Sequence, residues 1–378
     1  MFVPPDVLGH RGRGGFRFRR DTETRSAVLL CPFPASPAKG RKVVELCYNV
    51  RVSGFRTNVR WTGCAWGVGA ALSGAALVRA WRPERSTVDI AITAATPWLL
   101  APSCVLLGGA LLTRRRSLAV LAGALGTYYL RCTRPWPRPP GTAEKSADGP
   151  QLKVSFANVL RSNTEVEGVL RELAAGEHDI VALAEVTDGH LSAIDAVLPP
   201  STYPWRTIEP DGFDGSRGLA LVSRVPVENV EKWWSEYHPQ LEATVLVPQA
   251  QPIRLLVVHT WGPLGRPKIL MWQEQLAEIG ARPGGGPTVI VGDFNATFQH
   301  RSFARLVGTR WSDASTSAFG GWRGTWPADR RWRPAMLRID HILVGPEISV
   351  RSGRAWRARG SDHLPVSAVL RLPPSPGA

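Results

Sequence analysis

The sequence predicts an α/β domain over residues 151–372 that follows two to three transmembrane helices. Long apolar runs fill most of residues 61–130, whereas from residue 151 onward short strand-like runs alternate with apolar residues at helical spacing. Polar and acidic residues follow several of the strand-like runs, at the edge where an α/β sheet presents its functional groups. The chain of 378 residues is long enough for both parts.

Positive charge is concentrated before the α/β domain. The chain carries 46 Lys and Arg residues against 31 Asp and Glu; residues 1–150 hold 22 against 8, which leaves 24 against 23 for the remainder. The net charge of +15 would by itself indicate a nucleic-acid-binding protein. Because basic residues beside apolar runs are what membrane topology requires, the distribution favours a membrane protein instead.

Residues 1–60 are basic, rich in Arg, Gly and Pro, and without helical or strand periodicity, so we expect them to be disordered. An RNA-binding tail and an incorrectly assigned start codon are the alternatives that the sequence leaves open. All five cysteines of the chain precede residue 133, and none has CxxC spacing, which excludes the common zinc and redox motifs.

Three apolar runs follow, at about 61–80, 88–112 and 117–130. The first two are long enough to cross a hydrocarbon core of about 20 residues. The third is shorter and ends in Tyr128 and Tyr129, so it is either a third span or a buried or re-entrant segment. Helices buried in a soluble helical domain are the alternative for the whole set.

The flanking arginines predict the orientation of these runs. Arg56 and Arg60 precede the first run, and three arginines at 114–116 separate the second from the third. Since basic loops stay on the cytoplasmic side, three spans place the α/β domain outside. We therefore expect a multi-pass protein of the cytoplasmic membrane with an extracytoplasmic α/β domain, joined by a Pro-rich linker at 131–150.

The α/β domain begins with a β-α-β pattern: LKVSFAN, then Val166, Val169, Leu170 and Leu173 at helical spacing, then DIVALAE. Further strand-like runs are GLALVSR, IRLLVVHT, TVIVGDFN, RIDHILVG and LPVSAVLRL, with a helix expected at about 268–279. Many strands with helices between them predict a mixed α/β domain with a large core.

Five polar clusters occur at the ends of these predicted strands, and their order along the chain is informative. Converging carboxylate, amide and imidazole groups are typical of a catalytic site. The clusters comprise Asn158; Glu185; His259; Asp293 and Asn295 in GDFN; and Asp340 in RIDH together with Asp362 and His363 in GSDHLPV.

With GDFN and the downstream SDH-x-P, the segment from Leu152 to Leu370 resembles the endonuclease/exonuclease/phosphatase superfamily. Its general look is that of bacterial members anchored in the membrane by N-terminal helices. The resemblance implies a four-layer α/β sandwich, in which two mixed β-sheets are flanked by helices. The sequence departs from the family pattern at Ala184, where many members have Gln immediately before the metal-binding Glu. This difference puts the catalytic efficiency in doubt more than the presence of activity.

The resemblance implies a divalent-metal-dependent phosphoester hydrolase that uses Mg²⁺ or Mn²⁺, ions that prefer hard oxygen ligands. His363 is expected to act as general base or to polarise the phosphate, with Asp340 fixing its ring. Asp293 is expected to orient or deprotonate water, and Asn295 and His259 to contact the phosphate. The expected metal ligands are Glu185, Asn158 and Asp362.

The substrate stays open at this stage. A nucleic acid, for a nuclease or similar phosphodiesterase, and a phospholipid or sphingomyelin head group are the two partner classes, and a catalytically inactive membrane-anchored binding module is the alternative from another class. His341 is expected to be structural because it points away from its neighbour Asp340 on the strand. Trp326 is expected to pack in the core, with stacking on a base or contact with lipid as the alternatives.

Overall fold

The structure is a computed structural model that describes residues 59–81, 84–133, 149–282, 284–314, 323–329 and 332–376. The predicted disorder of residues 1–60 and the Pro-rich linker at 131–150 therefore lie almost entirely outside the described residues. Residues 66–378 form one compact unit, and of the unit before it only the first residues of a helix are described.

The apolar runs form helices, with one difference from the expectation. Residues 88–112, expected as one helix, are divided at Ala95. Pro97 has no backbone N–H to donate to the carbonyl of Thr93, and the Thr96 hydroxyl donates to that carbonyl at 2.8 Å instead. The helices are Val59–Trp81 (α1), Thr87–Ala94 (α2), Thr96–Leu112 (α3) and Arg116–Cys132 (α4).

Within the described residues, no single helix has the length and apolar character needed to cross a membrane. Helices α2 and α3 meet that requirement only as a pair, and they are bent by 65° relative to each other. The membrane spans therefore stay a prediction.

Helices α1, α3 and α4 pack on one another along small side chains. A Cβ atom on Gly69 of α1 would lie 3.1 Å from Leu121 of α4, so glycine allows the close approach there. Near the other end, the Tyr129 hydroxyl of α4 donates to the Leu72 carbonyl of α1 at 2.6 Å. These contacts hold the three helices together as one bundle.

Beyond the linker, the described residues form two six-stranded sheets. The first has the order β11-β12-β1-β2-β4-β3 and the second the order β5-β6-β7-β8-β10-β9. Both are mixed, since β1–β2 and β7–β8 pair in parallel and their other neighbours are antiparallel. The strands are Gln151–Asn158 (β1), Ile180–Ala184 (β2), Trp205–Glu209 (β3), Leu219–Ser223 (β4), Val227–Ser235 (β5), His238–Val245 (β6), Ile253–His259 (β7), Thr288–Asp293 (β8), Ser312–Asp313 (β9), Asp340–Val344 (β10), Ser349–Ala355 (β11) and Val366–Arg371 (β12).

Helices cover the outer face of each sheet, which confirms the predicted sandwich. Apolar side chains of both sheets meet in a central core, while two further cores lie between each sheet and its helices. Such layering follows from strands whose side chains alternate between two buried faces. The helices are Val166–Ala175 (α5) and Leu191–Val197 (α6) on the first sheet, and Arg266–Ala281 (α7) and Arg301–Val307 (α8) on the second.

The turn before α2 is fixed to the α/β domain through a buried carboxylate. Helix α8 has no side-chain cap of its own, and Glu84 takes that place: it accepts hydrogen bonds from the backbone N–H groups of Arg301 and Ser302 and from the Ser302 hydroxyl. A carboxylate at a helix N-terminus satisfies free N–H groups and opposes the helix dipole. Ile90 of α2 also belongs to the outer core beside Trp272.

Replacing Glu84 with Gln should lower the free energy of unfolding by about 1–3 kcal/mol, because a charged acceptor of three donors becomes a neutral one. Chemical denaturation of the full chain measures the change. Glu274→Gln, the same substitution at an exposed position of α7, should leave stability within about 0.5 kcal/mol of wild type. Equal effects of the two substitutions would show that Glu84 does not cap α8.

Candidate active site

Strand register brings three of the predicted site residues into one row. Asp293 at the end of β8 lies opposite His259 of the parallel strand β7 and opposite Asp340 of the antiparallel strand β10. Side chains directly opposite one another on adjacent strands have Cβ atoms about 5 Å apart. The register therefore places two carboxylates and an imidazole side by side at one edge of the second sheet.

The first sheet contributes Asn158 and Glu185 from the ends of its parallel pair, β1 and β2. Glu185 has a positive φ of 59°, a left-handed conformation that is uncommon for a non-glycine residue. The Asn158 amide donates to Glu185 Oε1 at 2.9 Å and to Asp293 Oδ2 at 3.1 Å. One side chain thereby links the carboxylates of the two sheets.

Asn158 was predicted as a metal ligand, but its oxygen already accepts the backbone N–H of Leu160 at 3.0 Å. In this orientation the side chain presents only its N–H groups to the carboxylates. Asn158 therefore contacts both Glu185 and Asp293, and its role as a metal ligand stays a prediction.

His363 is held in place through one ring nitrogen and through its backbone N–H. Its Nδ1 lies 2.9 Å from Asp340 Oδ2, as predicted from the sequence, and its backbone N–H donates to the Ser361 hydroxyl at 3.0 Å. That hydroxyl in turn donates to the Asn158 carbonyl. Because Nδ1 is committed to Asp340, Nε2 faces the cleft, 3.8 Å from Asp293 Oδ2.

The buried charges shift several pKa values. Burial and the charge of Asp340 raise the pKa of Asp293 to about 7. Burial alone would lower the pKa of His363, but the charges of Asp340 and Asp293 outweigh it and raise that pKa to about 10. Burial and the charge of His363 lower the pKa of His259 to about 4. At neutral pH His363 is therefore a cation and His259 a neutral imidazole.

Asn295 and Asp362 complete the predicted set. Asn295 has a left-handed φ of 47° and donates through its side chain to the Thr260 carbonyl at 2.9 Å. Asp362 Oδ2 accepts the indole N–H of Trp326 at 2.9 Å, while its Oδ1 is buried with no hydrogen-bond partner among the described residues. A buried carboxylate oxygen without a donor is costly unless a ligand supplies the contact.

The predicted side chains meet at one cavity of about 570 Å³. Asn158 and Asp340 lie behind its wall as hydrogen-bond partners of lining residues. Six of the eight line the cavity directly: Glu185, His259, Asp293, Asn295, Asp362 and His363.

The prediction for Trp326 is wrong and that for His341 is confirmed. Trp326 lines the cavity and donates to Asp362, because its backbone pairs with Leu337 at the rim of the sheet. His341 is fully buried and lies between Asp313, at 2.7 Å, and the Ala296 carbonyl. Its contacts are structural.

Sequence reasoning missed the residues that orient the predicted site residues. The Gln240 side chain exchanges two hydrogen bonds with the backbone of His259, and the Thr325 hydroxyl accepts the backbone N–H of Asp340. Ser361, in the GSDH motif, connects His363 to β1. Only Ser361 carried a signal, its position two residues before the histidine.

The donor set fits a hard divalent cation. Asp293, Asp340 and His363 each offer an atom within 4.8 Å of the others and could hold one. However, both oxygens of Asp340 already contact the His363 ring. Glu185 is half-buried, and its two oxygens accept the uncharged N–H groups of the Asn158 amide and the Arg161 backbone. Because no cation among the described residues neutralises Glu185, this carboxylate and the free oxygen of Asp362 fit better, since Mg²⁺ and Mn²⁺ favour carboxylate oxygens.

Substituting Asn158 with Asp should lower the free energy of unfolding by about 1–3 kcal/mol, because a donor to two carboxylates becomes a third negative charge. Added Mg²⁺ or Mn²⁺ should recover more stability in this variant than in wild type. Denaturant unfolding with and without the cation measures both effects. Asn229→Asp, at an exposed position of β5, is the control; a loss of stability equal to that of the control would contradict the bridging role.

Residues 155–363 match the Endonuclease/Exonuclease/phosphatase family. No curated protein matches the chain. Among solved structures, an endonuclease/exonuclease/phosphatase from Beutenbergia cavernae is similar at 18% identity and a TM-score of 0.51, over 60% of this chain and 73% of that one.

Also similar is an endonuclease/exonuclease/phosphatase from Bacteroides vulgatus, at 19% identity and a TM-score of 0.48, over 59% of this chain and 99% of that one. The structure of D. rerio TDP2 complexed with a single-strand DNA product is similar at 16% identity and a TM-score of 0.47, over 58% of this chain and 98% of that one. At such identities the likeness concerns the fold alone. The family match spans more than half of the chain, and this protein therefore belongs to the endonuclease/exonuclease/phosphatase family.

Proposed function

We propose that this protein is a divalent-metal-dependent phosphoesterase that cleaves a phosphoester bond by direct attack of water. The observation that carries the proposal is that Glu185 and His363 line the same cavity. Glu185 is a carboxylate with no ion-pair partner among the described residues, and His363 is a histidine whose charge is stabilised by Asp340. Glu185 follows β2 and His363 precedes β12, both strands of the first sheet, and a phosphate in the cavity that they line could contact both. The substrate is a phosphoester of either a nucleic acid or a phospholipid head group.

The family implies a divalent metal, and the site is suited to one. Glu185 would hold Mg²⁺ or Mn²⁺, with the free Oδ1 of Asp362 as a second ligand. Bound there, the ion would neutralise the non-bridging phosphate oxygens and the developing charge on the leaving oxygen.

The chain's own side chains divide the remaining tasks. His363, held as a cation by Asp340, stabilises the negative charge of the phosphate through Nε2. Asp293 Oδ2 lies 3.8 Å from both His259 Nε2 and His363 Nε2, so a water molecule beside it can donate a proton to the carboxylate. The neutral His259 and the amide of Asn295 donate to the phosphate as its charge develops.

Membrane anchoring through residues 61–130, with the α/β domain outside the cytoplasmic membrane, is a further part of the proposal. Large apolar side chains are exposed on three of the helices, among them Leu77 at 52%, Val105 at 76% and Val120 at 73%. Helix α3 begins beside the α/β domain and its 17 residues extend about 25 Å. The arginines at 114–116 therefore lie at the far end, where the positive-inside rule would keep them cytoplasmic.

The catalytic proposal predicts that the full chain hydrolyses a bis-aryl phosphodiester in the presence of Mg²⁺ or Mn²⁺. EDTA should abolish the reaction, and His363→Ala and Glu185→Gln should each lower kcat/KM by at least about a hundredfold, as losses of transition-state charge stabilisation do. Release of the aryl alcohol measures the rate.

Glu172→Gln removes an exposed carboxylate from α5 and is the matched control, with an unchanged rate expected. Wild-type rates for Glu185→Gln would refute the metal site. Complete inactivity of the wild-type protein with either cation would support an inactive binding module instead.

For topology, we expect the protein to sediment with the membrane fraction, and an alkaline phosphatase fused to its C-terminus to be active in intact bacterial cells. The reason is that three spans with cytoplasmic arginines carry the C-terminus outward. A fusion that is inactive in cells but folded in lysates would place the domain on the cytoplasmic side.

A further inference from the structure

One wall of the active-site cavity comes from outside the family segment at 155–363. Ile90, Ala91 and Ala94 of α2 line the same cavity as the carboxylates and histidines. Leu337 and Ile339 add further apolar lining. The cavity lining therefore has a polar part, which can bind a phosphate, and an apolar part, which cannot.

Helix α2 is a fixed part of this cavity. The Thr87 hydroxyl accepts the Gly265 backbone N–H at 2.9 Å. The Ile90 carbonyl lies 3.2 Å from His300 Nε2, which donates because Nδ1 of that ring accepts the Thr297 N–H. With the Glu84 carboxylate at the preceding turn, α2 is held on three sides, so its apolar face is a stable feature of the site.

Charges around the cavity argue against an extended polyanion. Arg161 and Lys268 are the two basic lining side chains among the described residues, against four acidic ones. Arg161 already lies 3.6 Å from Asp214, and Lys268 lies over the Trp261 ring at 4.8 Å. Nucleic-acid binding requires cationic contacts to several successive phosphates. The cavity is better suited to one phosphate group.

We propose that the substrate is a lipid phosphoester, whose apolar chain lies against α2 while its phosphate binds at the polar part of the cavity lining. This inference rests on the proposed function and names the substrate class of the same site. The step is a hydrolysis: the water oxygen bonds to phosphorus, the P–O ester bond breaks, and the proton lost by water passes to the leaving oxygen, which departs as an alcohol.

The surroundings of α2 indicate where the chain would come from. Helix α2 continues through the 65° bend into α3. The exposed apolar side chains of α3 include Val105, Leu111 and Leu112, the last at 87%. No charged residue occurs between Ile90 and Leu112, so an acyl chain that lies along this part of α2 and α3 meets only uncharged side chains on its way to the cavity. We infer that the substrate is drawn from the bilayer.

A series of alkyl para-nitrophenyl phosphates with methyl, butyl and octyl chains tests the inference on the full chain, at concentrations below micelle formation. We expect kcat/KM to rise by at least about tenfold from methyl to octyl, well below the factor of about four per methylene that complete burial would give. Release of nitrophenol measures every member in the same way.

Two matched variants distinguish an effect of the apolar cavity lining from a general effect of adding a negative charge to a helix. Ala91→Glu places a charge on the apolar part of the cavity lining and should flatten the dependence on chain length. Ala196→Glu makes the same change at an exposed position of α6, on the α/β domain, that does not line the cavity, and should keep the wild-type dependence.

The outcomes are distinguishable. Hydrolysis of all three esters at equal kcat/KM would overturn the lipid inference and leave the phosphoesterase proposal intact. Hydrolysis of a single-stranded oligonucleotide at a higher kcat/KM than the octyl ester would overturn it in favour of nucleic acid. Failure to hydrolyse any ester or oligonucleotide would overturn both proposals.

Discussion

The site depends on how two buried carboxylates are kept beside each other. Asp293 and Asp340 are both about 1% exposed and directly opposite on neighbouring strands. Like charges at such a distance, away from water, repel strongly, and each loses its hydration as well. The protein offsets this with the charged ring of His363 and the amide of Asn158. The contacts that allow Asp293 and Asp340 to lie side by side thus also hold the charged ring of His363 at the cavity.

Much of this arrangement could be predicted from the sequence. The runs that became β1, β2, β7 and β8 are largely apolar, as expected for strands buried on both faces, and each ends in or just before a polar residue. Because parallel strands end at the same edge, the polar residues had to meet. The contacts of the individual side chains could not be predicted: the sequence does not show that the Asn158 amide donates to both Glu185 and Asp293.

The elements that sequence reasoning missed have physical reasons for being hard to see. Strand β5 lies at a sheet edge and is largely exposed, so its sequence lacks the alternation of a half-buried strand. Strand β3, another edge strand, is only half-buried. The apolar run predicted the length of the helical segment but not the break at Ala95, because hydrophobicity carries no information about bends. Pro97 was the one sequence feature that could have indicated the break. The contact of Glu84 with α8 joins residues more than 200 positions apart, and no local pattern reveals it.

The cap that Glu84 provides has a consequence for how this enzyme family is studied. A fragment trimmed to the family boundary would begin after α2, leaving the N-terminus of α8 without its carboxylate and uncovering the apolar surface around Trp272 and Phe294 that Ile90 protects. Such a fragment would retain every catalytic side chain, yet its cleft would be open to water on one side. We therefore expect even a fragment that keeps every strand of the α/β domain to be less stable than the full chain when it lacks Glu84 and α2.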